Sequence, residues 1–180
     1  MSLDLIIGCM FSGKSTEIMK QVNRLEKIES SYLLIKPIAD NRYTHKSMIQ
    51  THDNLQRKCL MRGELIPIFE SPLYTSSDYI IIEEAQFFED LEPFVLQSVD
   101  KDKKKVIIVG LDGDSNRNNF GQIHKLIPLC DNITKLKAYC SQCKDGTEGI
   151  FSKRLIQDTA QTCIGSSDKY MAVCRKCYLE

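Results

Sequence analysis

Short apolar runs punctuate this chain, with amphipathic or polar stretches between them. "LDLII" (3–7) is the first run and stops at Gly8. In the next segment, 13–29, Ile18, Val22 and Leu25 recur on one helical face with Met19 beside them, which predicts an amphipathic helix. "YLLIKP" (32–37) predicts a strand ended by Pro37, and "YIIIEE" (79–84) predicts another. "KKKVIIVGLDGD" (103–114) predicts a further buried strand, released by Gly110 and Gly113. Nearly continuous apolar strands separated by helical patterns predict an α/β fold with a parallel sheet. The weaker patterns are "LIPIFE" (65–70), read as a short extended piece, and 87–99, read as a helix with Pro93 in its first turn. Residues 39–58 read as a polar loop.

From residue 138 the texture changes. Charged and polar residues, Gly and Cys dominate, so the expected division is a main domain over 1–137 and a small unit over 138–180. The second unit is too small and too polar to supply its own core and needs a staple.

Composition narrows the function classes. The 180 residues are 42% hydrophobic, and 24 Lys plus Arg balance 24 Asp plus Glu. A net charge of zero gives no support to non-specific nucleic-acid binding or to a polybasic membrane anchor. No apolar run approaches the ~18 residues of a membrane span, and "MSLDLIIGCMF" lacks the basic start of a signal peptide. Of the eight cysteines, four form two C-x-x-C pairs, which fits metal in a reducing, cytoplasmic compartment better than disulfides. The other four, Cys9, Cys59, Cys130 and Cys163, read as small buried hydrophobes.

"GCMFSGKS" (8–15) fits G-x-x-x-x-G-K-[S/T] between a strand and a helix. Gly8, Ser12 and Gly13 let backbone amides wrap a phosphate, and the helix N-terminus adds positive potential. Lys14 reaches the outer phosphates, Ser15 is a Mg²⁺ ligand, and Thr16 sits beside it. This makes the fold P-loop NTPase-like and the ligand a nucleoside triphosphate. The strand over 79–84 ends on Glu83 and Glu84, at the edge where parallel strands present their ligands. Consecutive side chains alternate, so one carboxylate can approach Mg²⁺ while the other takes a proton from water or an alcohol. Hydrolysis and phosphoryl transfer stay tied on this chemistry. An ATPase switch and an ATP-regulated zinc-knuckle module remain as alternatives.

"CSQC" and "CRKC" supply Cys140, Cys143, Cys174 and Cys177. Four thiolates suit a closed tetrahedral Zn²⁺ site with no open position, hence a structural one. An iron–sulfur cluster and a redox dithiol are minor alternatives.

With these motifs on the page, the chain resembles the small, zinc-containing type of thymidine kinase found in vertebrates, poxviruses, other large DNA viruses and many bacteria. The resemblance rests on "MFSGKST" (10–16), "DNRY" (40–43), "THD" (51–53), "EAQFF" (84–88), "LDG" (111–113), "KRL" (153–155), "DKY" (168–170) and "VCRKCY" (173–178), in family order. It implies transfer of the γ-phosphate of ATP to the thymidine 5′-hydroxyl, with Glu84 as general base. Glu83 stands where the family usually has Asp. Arg42 matches an arginine reaching toward the transferring phosphate, with Asp40 its acidic partner.

For the nucleoside, the resemblance implies Met10 near the thymine methyl, Phe87 stacked on the base, and Leu111 and Phe120 as apolar walls. Ser152 would approach the base edge. Cys163 and Gly165 would supply backbone groups of a "lasso" loop that Tyr170 closes. It also implies a homotetramer inhibited by dTTP. Beside Glu83, three further departures stand out: Ser115 where an aromatic is usual, Ser166 where a second Gly is usual, and a longer stretch over 143–154.

Overall fold

The computed structural model describes residues 1–39, 47–50, 55–157, 160–163 and 165–180. Chain order runs β1 (Ser2–Gly8), α1 (Lys14–Lys27), β2 (Tyr32–Pro37), β3 (Met48–Gln50), β4 (Gln56–Lys58), β5 (Leu60–Arg62), α2 (Pro72–Ser76), β6 (Tyr79–Ile82), α3 (Leu91–Leu96), β7 (Lys105–Gly110) and β8 (Asn132–Leu136). The remaining elements are β9 (Ala138–Tyr139), β10 (Glu148–Gly149), β11 (Phe151–Arg154), β12 (Tyr170–Val173) and α4 (Arg175–Leu179).

Six strands form one parallel sheet in the order β5-β2-β6-β7-β1-β8. Alternation along each strand splits the apolar side chains between two faces. Leu5 and Ile7 of β1, Ile80 and Ile82 of β6, and Val106 and Ile108 of β7 pack with Phe88, Leu91 and Phe94 on one side. Ile6, Ile81, Ile107 and Val109 meet Ile18, Met19, Val22 and Leu25 of α1 on the other. Burial on both faces explains why these strands read as unbroken apolar runs.

Three local expectations are corrected. Residues 65–70 are not extended, because Ile66–Glu70 form a 3-10 turn. The Asp90 carboxylate accepts from the Leu65 and Ile66 amides at 2.7 and 2.8 Å, and Pro67 sits in the first turn, where its missing donor costs nothing. The helix expected over 87–99 starts later, at Leu91, and passes into a π-helical turn over Gln97–Lys101. The polar stretch 39–58 carries the antiparallel pair β3 and β4 rather than loop alone.

Beyond β8 the chain forms two small antiparallel pairs, β9 with β10 and β11 with β12. Their core contains Cys140, Val173, Cys174 and Cys177, so three of its four buried members are cysteines.

Candidate functional site

Because the sheet is parallel, β1, β6 and β7 end at one edge, and each runs into a segment of the site. After β1 the chain folds into the glycine-rich loop. Gly13 caps α1 with φ 83°, a left-handed conformation that glycine adopts without strain. Buried Ser12 donates to the Cys9 carbonyl at 2.8 Å, closing the loop from inside. The Lys14 ammonium donates to the carbonyls of Cys9 (2.7 Å) and Gly8 (3.2 Å), so it lies along the loop. Ser15 and Thr16 stand in the first turn of α1.

At the end of β6 the two carboxylates part. The Glu83 amide still donates to the Ile35 carbonyl of β2, at 2.9 Å, and its carboxylate accepts from the Ser15 hydroxyl at 2.6 Å. The longer Glu side chain thus reaches the loop serine directly. The pair presents hard oxygens where a divalent cation carried with a triphosphate would be held. Glu84 takes a left-handed conformation (φ 49°, ψ 43°), which turns the chain and sends its side chain elsewhere. There its carboxylate accepts from the Gln86 amide at 2.5 Å.

Glu84 lines a largely apolar cleft. The cleft brings together all eight residues expected around the nucleoside: Met10, Phe87, Leu111, Phe120, Ser152, Cys163, Gly165 and Tyr170. Phe87 and Phe120 meet edge to face, 5.4 Å between centroids. Buried Ser152 accepts from the Met10 amide at 2.9 Å, so its own hydroxyl proton points to another acceptor. Tyr170 donates to the Cys163 carbonyl at 2.8 Å. Burial raises the Tyr170 phenol despite the nearby Arg154, which keeps it a donor.

Arg154 holds the loop backbone from outside, donating to the Ala160 and Gln161 carbonyls at 2.7 and 3.1 Å. Of the four cysteines expected to be small buried hydrophobes, Cys9, Cys59, Cys130 and Cys163, Cys9 alone is buried. Cys59, Cys130 and Cys163 are partly exposed, and Cys163 faces the cleft.

Gln86, Asp114 and Gln161 also line the cleft and were not anticipated. Gln161 donates to Asp114 at 2.9 Å and to the Asn119 carbonyl at 3.1 Å, latching one cleft wall to the other. Burial would raise the Asp114 carboxyl, but hydrogen bonds from Gln161, Asn118 and Asn116 outweigh it and hold it below the usual range. Ser115, the departure from an aromatic, lines the cleft, and its carbonyl accepts from Tyr178 at 2.7 Å. At Ser166 the amide donates to Asp168 and the carbonyl receives Lys169 and Tyr170, so the turn satisfies these groups without a second glycine. Arg42 and Asp40 lie outside the described residues, as do 41–46 and 51–54, and so "DNRY" and "THD".

The cysteine expectation meets a compact geometry. The four Sγ atoms of Cys140, Cys143, Cys174 and Cys177 lie within 4.8 Å of one another. Cys143 sits 3.8 Å from Cys174 and 3.5 Å from Cys177. A tetrahedral zinc with bonds of about 2.3 Å requires sulfur–sulfur edges of about 3.8 Å, so the set fits. Burial pushes the Cys140 thiol up, but amides of Cys143, Cys174 and Gln142 bring it down to about 6. Hydrogen bonding to Cys143 pushes Cys177 up to about 12. Four thiolates this close repel, and a divalent cation relieves that conflict.

Just past β1, the Met10 amide donates to Ser152 and the Cys9 thiol to the Gly149 carbonyl at 3.4 Å, tying this cysteine-held segment to the sheet beside the Gln161 and Tyr178 bonds. No helix among the described residues is long and apolar enough to cross a membrane.

Comparison with known proteins points one way. A family model described as thymidine kinase matches residues 1–178. The thymidine kinase of Oryza sativa subsp. japonica is 40% identical over 183 residues, covering 99% of this chain and 66% of the rice protein. Thymidine kinase a of Arabidopsis thaliana is 39% identical over 181 residues, covering 99% of this chain and 75% of its own length. The thymidine kinase of Vaccinia virus (strain Western Reserve) is 40% identical over 178 residues, covering 99% of this chain and 97% of the viral protein.

Proposed function

This chain belongs to the thymidine kinase family, and we propose that it transfers the γ-phosphate of ATP to the 5′-hydroxyl of thymidine, giving dTMP and ADP. One observation carries the reading. Neighbouring carboxylates divide between two partners, Glu83 on Ser15 of the phosphate loop and Glu84 in the apolar cleft. A triphosphate on the loop and an alcohol in the cleft therefore meet across a single peptide unit.

The chemistry follows from that placement. The loop amides of Gly8–Ser15 and the N-terminus of α1 bind the triphosphate, and Lys14 swings from the loop carbonyls onto its outer oxygens. Ser15 and Glu83 would hold Mg²⁺, which neutralises charge on the transferring group when bound. By family resemblance Arg42 adds positive charge there, with Asp40 as its acidic partner. Thymidine lies against Phe87, between Leu111, Phe120 and Met10, with Ser152 at the base edge. The backbone of Cys163 and Gly165, closed by Tyr170, grips the base and excludes water, which favours transfer over hydrolysis. Glu84 then takes the proton of the attacking 5′-hydroxyl.

Cys140, Cys143, Cys174 and Cys177 would hold zinc as a structural staple for the wall that carries Ser152 and Tyr170. The same reading extends to a cytoplasmic homotetramer in which dTTP inhibits from the nucleoside site.

Glu84→Gln tests the base. Thymidine binding, followed by calorimetry, stays near wild type while kcat falls by about 100-fold or more. Unchanged turnover would remove Glu84 from that role.

A further inference from the structure

Gln86 is the most confined polar side chain in the cleft, 4% exposed, and both ends of its amide are committed. Its Oε1 accepts from the Leu111 amide at 3.1 Å. A backbone N–H can only donate, so this bond fixes which end of the Gln86 amide faces which way. Nε2 is thereby aimed at Glu84, whose Oε2 accepts it at 2.5 Å.

The surroundings reserve this position. A Cβ on Gly110 would fall 2.5 Å from Gln86 Oε1, and one on Gly121 would run into the Gln86 carbonyl. Glu84 holds a left-handed backbone conformation that side-chain-bearing residues disfavour, and such a conformation persists only where its neighbours over-determine it.

The geometry points to Gln86 as the positioning residue for Glu84. The line Leu111 N–H, Gln86 amide, Glu84 carboxylate ties the end of β7 to the end of β6. It sets the rotation of the carboxylate toward the cleft. Gln86 touches no reacting atom in this account and acts through Glu84 alone. The inference rests on Glu84 being the base in the proposed kinase reaction.

The test is a double-mutant cycle read in thymidine kinase turnover. Gln86→Met lowers kcat by about 100-fold, the effect of misplacing a catalytic group by about 1 Å, with KM for thymidine and ATP within about twofold of wild type. Gln86→Glu keeps the size and the acceptor for Leu111 but loses the donor to Glu84, and it loses kcat likewise. In a Glu84→Gln background, Gln86→Met has almost no further effect, because the group it positions is already gone.

An equal loss in both backgrounds overturns the positioning role, as does full kcat in the Gln86→Glu variant. A melting temperature measured for each variant identifies a folding defect, and if Gln86→Met does not fold, Gln86→Glu alone decides. A wild-type chain that phosphorylates no nucleoside would instead overturn the kinase reading and this role with it.

Discussion

The two halves of the site are stabilised by different physics. The phosphate loop and both glutamates hang from a sheet whose strands bury apolar side chains on each face, Leu5, Ile80 and Ile108 on one and Ile6, Ile81 and Val109 on the other. The facing wall, with Ser152 and Tyr170, hangs from two short strand pairs whose core is mostly cysteine. The first half stands on the hydrophobic effect. The second stands on a cluster of thiols and a few polar ties to the first. One half can therefore fail while the other survives, and the chemistry needs both.

The largest expected effect breaks the weaker half. Cys143→Ser with Cys177→Ser abolishes nucleoside phosphorylation and opens the segment beyond residue 138 to limited proteolysis. The sheet persists by circular dichroism, since none of its apolar packing is touched. A variant equally resistant to protease would refute the thiol cluster as staple.

Next comes a change in the stronger half. Lys14→Ala leaves the fold and thymidine binding intact but lowers kcat/KM for ATP by about 100- to 1,000-fold, the usual loss of one preorganised charge at a transferring group. The smallest effect probes the seam. The Arg117 guanidinium lies 4.6 Å from the Tyr178 ring centroid and 5.6 Å from that of Phe151. Arg117→Ala removes about 1 kcal/mol at this exposed site and lowers the melting temperature by about 2–4 °C, with little change in kcat.

Legibility in the sequence follows the same division. β1, β2, β6, β7 and α1 were readable because burial on a sheet face or a helix stripe writes its period directly into the residues. β8 was not, since Asn132–Leu136 is an exposed edge strand with no apolar run. The 3-10 turn over Ile66–Glu70 depends on Asp90, distant in sequence, capping its amides. The cysteine pairs were legible by spacing, and the cleft residues only by family resemblance. Gln86 was overlooked inside a motif that was itself noticed. Its bond is to the Leu111 amide just past the end of β7, and no local pattern carries that contact. Asp114 and Gln161 were hidden for the same reason, meeting across 47 positions of sequence.

The central claim is that loop and cleft act together on one nucleoside, and the most direct measurement is phosphoryl transfer from ATP-Mg²⁺ to each member of a full nucleoside panel. The account predicts thymidine as the clear best acceptor, with dTMP formed in step with ADP. Steady phosphate release without any nucleoside accepted would contradict it.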